Sequence, residues 1–198
     1  MKHMAQSELD RREVVARLLA RRDGLLVVTG LGSPTYDVHA AGDHDGNYYL
    51  WGAMGAAALI GLGLAQAQPD RTVVVITGDG EQLMGLGGLA TIAVSNPQNL
   101  VIVVIDNNHF GETGMQVSHT GHGLDLAAVA LSCGFSEARA VRDMKGVEEI
   151  ARVLHAPASG ARLFVIKVKA ENPPRSLPSR DAVHVKNRFR AYLGLGAM

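Results

Sequence analysis

GDGEQLMGLGGLATIAVSNPQNLVIVVIDNN, running from Gly78 to Asn108, is the stretch whose reading decides the fold. It opens where the apolar run Val73-Val74-Val75-Ile76 stops at Thr77-Gly78-Asp79-Gly80. It closes where a second run, Leu100 to Ile105, stops at Asp106-Asn107-Asn108. Between the runs, Leu83, Leu86, Ala90 and Ala93 recur at helical spacing. The pattern predicts strand, loop, helix, strand. Parallel strands joined by a helix put both strand C-termini on one edge of a sheet. Asp79 and Asn107 then become neighbours at the edge where open α/β sheets bind ligands.

The residue types at those ends suit a particular chemistry. A carboxylate, an amide oxygen and a nearby main-chain carbonyl are hard donors of the kind Mg²⁺ takes, with phosphates and water completing the octahedron. Gly78 and Gly80 let the backbone turn and approach a ligand closely. The following helix offers unpaired N–H groups and the positive end of its dipole to an anion. Either triplet alone reads better as an ordinary turn or loop. Both together, at matching strand ends, point to a site.

GDG, then about thirty residues, then Asn resembles the thiamine diphosphate signature. The wider text GDGEQLMGLGGLATIAVSNPQNLVIVVIDNNHFGETGMQ resembles the cofactor-binding half of sulfopyruvate and phosphonopyruvate decarboxylases, and the likeness runs from about Thr29 to Ala170. The resemblance implies thiamine diphosphate and Mg²⁺ as cofactors. It implies metal ligation by Asp79, Asn107 and the backbone carbonyl of His109. Gly52 offers its carbonyl to the 4′-amino group, and Met54, beside Ala53, wedges the cofactor into its bent form. Gly32 and Ser33 lie near the diphosphate, and the contacts extend to Gly78, Gly80, Glu81, Phe110 and Gly111. Glu81 departs from the small residue common at that place. A carboxylate there would repel a diphosphate unless it points away or meets a cation.

Composition bounds the rest. The 198 residues suit one domain with a sizeable core, 47% of them are hydrophobic, and 23 glycines mark loops. Lys+Arg and Asp+Glu number 19 each, so no charge footprint for nucleic acid or an acidic membrane exists. No signal peptide opens the chain, and no apolar run reaches the ~18 residues of a membrane span. The single cysteine, Cys133, fits a reducing cytoplasm and reads as a buried, inert thiol.

In chain order, Asp10 with Glu13, or Ser7, caps a first helix whose apolar face is Val14, Val15, Leu18 and Leu19. Met1 to Met4 carry no signal. Leu25 to Thr29 reads as a buried strand, Gly30 to Thr35 as a loop, and residues 36–50 as a long polar loop. Trp51 to Ala65 includes a small-residue helix. His109 to Gln116 is a loop, and Val117 to His122 a lid-like segment. His119 and Glu112 are weak catalytic candidates, and His119 with His122 is a poor metal pair without a third ligand. Leu124–Cys133 and Val147–His155 are helices, and Glu137–Val141 and Ala161–Ala170 strands. Residues 171–198 form a proline-rich linker and a last helix capped by Ser179 or Asp181, whose Lys186, Arg188 and Arg190 read as a solvated face. The whole is a doubly wound, mostly parallel α/β sheet of five or six strands. P-loop, dinucleotide and nucleophile-elbow motifs are missing, and one cysteine argues against an iron–sulfur cluster.

A thiamine enzyme also needs a carboxylate at the pyrimidine N1′. In the resembling family a separate pyrimidine-binding domain supplies it. The expectation is therefore the beta-type subunit of a two-component 2-oxo acid decarboxylase, active only with an alpha-type partner in an alpha2beta2 or larger assembly. The alternatives are an acetolactate-type carboligase and a non-catalytic homologue.

Overall fold

The computed structural model describes residues 9–196; Ser7 and Met1 to Met4 lie outside them. Six strands form one parallel sheet: β1 Leu26–Thr29, β2 Asn47–Tyr49, β3 Val73–Gly78, β4 Leu100–Asp106, β7 Glu137–Val141 and β8 Arg162–Lys167. Their spatial order is β2-β1-β3-β4-β8-β7. A separate antiparallel ribbon pairs β5 His109–Phe110 with β6 Gln116–Val117.

The central strands are buried on both faces, as parallel sheets require. Leu26, Val75, Ile102 and Leu163 belong to one core. That side is covered by α3 Ala57–Ala67, α5 Gly88–Ser95 and α6 Leu126–Cys133. Val27, Val74, Val103 and Phe164 belong to the other. There lie α1 Arg11–Leu19, α2 Ser33–Ala40 and α7 Met144–Val153. The last helix, α8 Ala182–Tyr192, lies against β2 and sends Val185 to one core and Phe189 to the other. The doubly wound α/β sheet is the architecture expected from the apolar runs. Among the described residues no helix is long and apolar enough to cross a membrane.

Several local expectations are corrected. Gly30 to Leu50 is not one long loop: it holds α2 and β2. Helix α2 begins at Ser33 with proline in its first turn, where a missing N–H costs nothing. The helix after β3 is two helices, α4 Asp79–Met84 and α5, separated at Gly85 to Gly87. A Cβ on Gly85 would stand 2.0 Å from the Gly55 oxygen, so the 51–56 loop occupies the space at the break. The same loop delays the start of α3 to Ala57. Residues 109–117 form a small hairpin rather than a loop. Asp10 caps α1, accepting from the Arg12 and Glu13 amides, and Asp181 rather than Ser179 caps α8. Arg188 is not a solvated residue: it donates to Asp43 Oδ2 at 2.6 Å and lies 3.4 Å from the Asn47 carbonyl oxygen. Cys133 is only half-buried, at the C-terminus of α6.

Candidate functional site

Register places the site. Gly78 on β3 pairs with Ile105 on β4, so Asp79 and Asp106 leave the sheet side by side. The chain leaves β1 toward β2 on one side and returns to β3 on the other. Between β1 and β3 the connection therefore switches direction, and a crevice opens at the C-terminal edge. The pocket there is lined by Ser33, Met54, Gly78, Asp79, Gly80, Glu81, Asn107, His109, Phe110 and Gly111. Of the cofactor contacts expected from sequence, Gly32, Gly52 and Ala53 do not line it. Gly32 is buried at φ +82 as the turn into α2. Gly52 and Ala53 carry φ +84 and +46 in the exposed turn that presents Met54. A left-handed alanine costs about 1–2 kcal/mol, a strain concentrated next to the pocket.

Asp79 is 2% exposed and firmly oriented. The Ser118 hydroxyl donates to its Oδ2, and Thr120 Oγ1 lies 3.1 Å from the same oxygen. Among the described residues no side-chain hydrogen bond falls on Oδ1. Thr120 Oγ1 also lies 2.8 Å from Asp106 Oδ1, and Lys167 Nζ donates to Asp106 Oδ2. Burial and the neighbouring Asp106 carboxylate push the Asp79 carboxyl up to about 6, against the pull of the Ser118 and Thr120 hydroxyls. A buried carboxylate so raised binds a cation readily, because the cation removes the cost of its charge.

Asn107 folds back on its own loop. Its Oδ1 accepts the His109 amide at 2.9 Å, while His109 Nδ1 stands 2.8 Å from the Asn107 carbonyl oxygen. The imidazole is thereby turned to the backbone. Asn108 takes φ +60, and its Oδ1 accepts from Lys167 Nζ at 3.0 Å. Lys167 thus ties β8 to the loop that carries Asn107.

The two glycines of Gly-Asp-Gly do different work from the sharp turn expected of them. Gly78 has φ −97, open to any residue, and a Cβ there would meet no atom nearer than 3.8 Å. Gly80 is fixed by packing: a Cβ would stand 2.7 Å from the Phe110 ring. Glu81 turns away from the pocket's centre. Its Oε2 accepts from Thr77 Oγ1 at 2.6 Å and sits where a Cβ of Gly30 would be, 1.5 Å away. Burial pushes its carboxyl up, and Thr77 with the amides of Ala57, Gly55 and Leu31 pulls it back. Glu81 therefore ties the loop after β1 and the 51–56 loop to α4.

Glu112 lines the pocket and pairs with Arg175 at 3.2 Å. His119 is exposed, outside the pocket lining, with its ring edge-on to Phe110 at 6.1 Å. The segment after Val117 is no lid, since Ser118 and Thr120 are buried against Asp79. Among the described residues no three His, Cys, Asp or Glu side chains gather around a metal-sized space, so His119 and His122 form no such site. Sequence reasoning missed Arg11, Met84, Asp106, Lys167, Ser118 and Thr120. Only Asp106, adjoining Asn107, carried a local signal.

The donor set fits a hard divalent cation with a diphosphate. It is all oxygen, one carboxylate oxygen is already tied down, and the open space at Gly78 admits a close approach. A thiamine diphosphate-dependent 4-hydroxybenzoylformate decarboxylase from Rhodococcus jostii superposes with a TM-score of 0.70 at 21% identity, covering 86% of this chain and 34% of that one. This sheet has the fold of the thiamine diphosphate-binding class. Residues 34–168 match the family described as thiamine pyrophosphate enzyme, C-terminal TPP binding domain. The beta subunit of sulfopyruvate decarboxylase from Methanothermobacter thermautotrophicus is 36% identical over 181 residues, 91% of this chain and 94% of that protein. Phosphonopyruvate decarboxylase from Streptomyces viridochromogenes is 37% identical over 186 residues, which cover 89% of this chain and 44% of that longer protein. The chain belongs to the family of thiamine pyrophosphate enzymes with this C-terminal binding domain.

Proposed function

We propose that this chain is the cofactor-binding subunit of a two-component thiamine diphosphate-dependent 2-oxo acid decarboxylase. The observation that carries the reading is that Asp79, Asn107 and His109 line one pocket together with Ser33 and Met54. In this reading Asp79, the Asn107 side-chain oxygen and the His109 main-chain oxygen would hold Mg²⁺, which would offset the charge of the diphosphate. Ser33 and Gly78 to Gly80 would receive the phosphates, Met54 would set the bent form, and Gly52, outside the pocket lining on the turn that presents Met54, would accept from the 4′-amino group where the cofactor reaches beyond the pocket. When bound, the cofactor supplies the electron sink for the carbon that loses CO₂.

Besides Asp79, the acidic side chains lining this pocket are Glu81 and Glu112. Glu81 is engaged by Thr77, and Glu112 by Arg175. Neither is disposed to hold a pyrimidine N1′. We place that carboxylate on a pyrimidine-binding alpha-type chain, two copies of each in the assembly. In support, the Methanothermobacter relative of matching length is named a subunit. A cytoplasmic setting belongs to the same proposal and rests on the lone cysteine.

The test is coexpression with a pyrimidine-binding chain, followed by supply of sulfopyruvate, phosphonopyruvate or pyruvate with Mg²⁺ and thiamine diphosphate. One of them should release CO₂ and the matching aldehyde in equal amounts. A coupled acetolactate-type product would assign carboligation instead, and no turnover of any 2-oxo acid would refute the enzyme.

A further inference from the structure

Arg11 opens α1, which runs antiparallel to the sheet into β1, so its first turn stands at the strands' C-terminal edge. The Lys169 amide donates to the Leu9 carbonyl at 2.9 Å, which fixes that turn beside the end of β8. Arg11 is 4% exposed and lines the same pocket as Ser33, Gly78, Asp79 and Gly111. Its ion pair is with Asp37, where Nε lies 3.5 Å from Oδ2, beyond hydrogen-bond length. Nε and Nη1 are buried with no hydrogen-bond partner. Buried guanidinium donors left unmatched are costly, and an anion with several oxygens matches their fork. Two other charged side chains nearby are already committed to ion pairs. Arg12 is paired with Asp37 at 3.5 Å, and Glu112 with Arg175 at 3.2 Å.

We infer that Arg11 is a phosphoryl-binding residue, donating from its guanidinium to an oxygen of the diphosphate held at this pocket. The inference rests on the proposed thiamine diphosphate reading. It adds a contact from α1, outside the residues 34–168 matched to the family. The charge balance favours it. A diphosphate bound through one divalent cation beside the Asp79 carboxylate keeps net negative charge, and Arg11 is the arginine that lines the same pocket.

The test uses the full chain with Mg²⁺ and either inorganic pyrophosphate or thiamine diphosphate, read by ³¹P NMR and calorimetry. Arg11→Gln alone leaves Asp37 buried beside Arg12 only, so Arg11→Gln/Asp37→Asn is the second variant, free of that unbalanced charge. Both should bind pyrophosphate about tenfold or more weakly, since a charged hydrogen bond contributes ~1.5–3 kcal/mol. Arg11→Lys, a point charge without the fork, should fall between. In the wild type, the Arg11 Nε–H resonance should move when Mg²⁺ and pyrophosphate are added, which needs no variant to fold. Wild-type affinity in the folded double variant, or an unmoved Nε–H signal in a wild type that binds, overturns the role of Arg11 and leaves the cofactor reading standing. A wild type that binds neither ligand overturns both.

Discussion

The Ser118 hydroxyl donates to Oδ2 of Asp79 across a sequence separation of 39 residues. The bond turns a flexible carboxylate into a fixed one, because its rotation about χ2 is now opposed by a buried partner. Thr120, 3.1 Å from the same oxygen, reinforces it and connects it to Asp106. Partners of this kind orient metal ligands, and their loss typically lowers metal affinity 10–100-fold.

Ser118→Ala with Thr120→Val should therefore weaken Mg²⁺-dependent binding of thiamine diphosphate by roughly 10–100-fold. The fold should survive, since the sheet is untouched. Calorimetry over a range of Mg²⁺ concentrations measures the loss. An Mg²⁺ dependence equal to wild type would show that Asp79 needs no such support.

Gly85→Ala should destabilise the chain by about 1–3 kcal/mol, the usual result of overpacking. The backbone at Gly85 has φ −97, so the strain is not conformational. It comes from the Gly55 oxygen, which a new Cβ would meet at 2.0 Å. Relief requires the 51–56 loop to move, and Met54 with it. Chemical denaturation measures the first effect, and cofactor affinity in the assembled enzyme the second. An alanine variant as stable as wild type would mean that the loop yields freely.

Asp37 gives a pH signature. It is fully buried, and burial raises its carboxyl to about 6 despite Arg11 and Arg12 beside it. The proton is held more tightly in the folded chain than in the unfolded one, where the ordinary value is 3.8. The stabilising share of this group is therefore present below about pH 4 and lost as pH rises through about 6. The full effect is roughly 3 kcal/mol. The stability of Asp37→Asn relative to wild type should accordingly increase between pH 4 and pH 7. The unbalanced Arg11 in that variant adds an offset that does not change with pH in this window. Melting curves at paired pH values decide it, and a constant difference across the window contradicts the shift.

How far the sequence carried this account follows from the range of each signal. The strands β3, β4 and β8 are continuous apolar runs, and buried parallel strands have that text. Asp79 and Asn107 could be placed together because each directly follows such a strand. Helix α2, SPTYDVHA, hid because its buried face includes Asp37 and Thr35, whose partners lie on other elements. Strand β2 has three residues, too few for alternation to register. The break at Gly85 depends on a loop about thirty residues earlier. Lys167 and Arg11 left no local mark, since only the fold brings them to the edge.

The isolated chain should release no CO₂ from any 2-oxo acid, and turnover should appear on addition of a pyrimidine-binding chain. Glu81 and Glu112, the internal carboxylates beside the pocket, are held by Thr77 and Arg175. Assay of the homogeneous chain with Mg²⁺ and thiamine diphosphate measures this. Sustained turnover without a partner would place the N1′ carboxylate inside this chain.

The most direct measurement is calorimetry of thiamine diphosphate against wild type and Asp79→Ala, each with and without Mg²⁺. The account predicts saturable heat for the wild type only when Mg²⁺ is present, and none for Asp79→Ala under either condition. Binding by Asp79→Ala with unchanged affinity would contradict it.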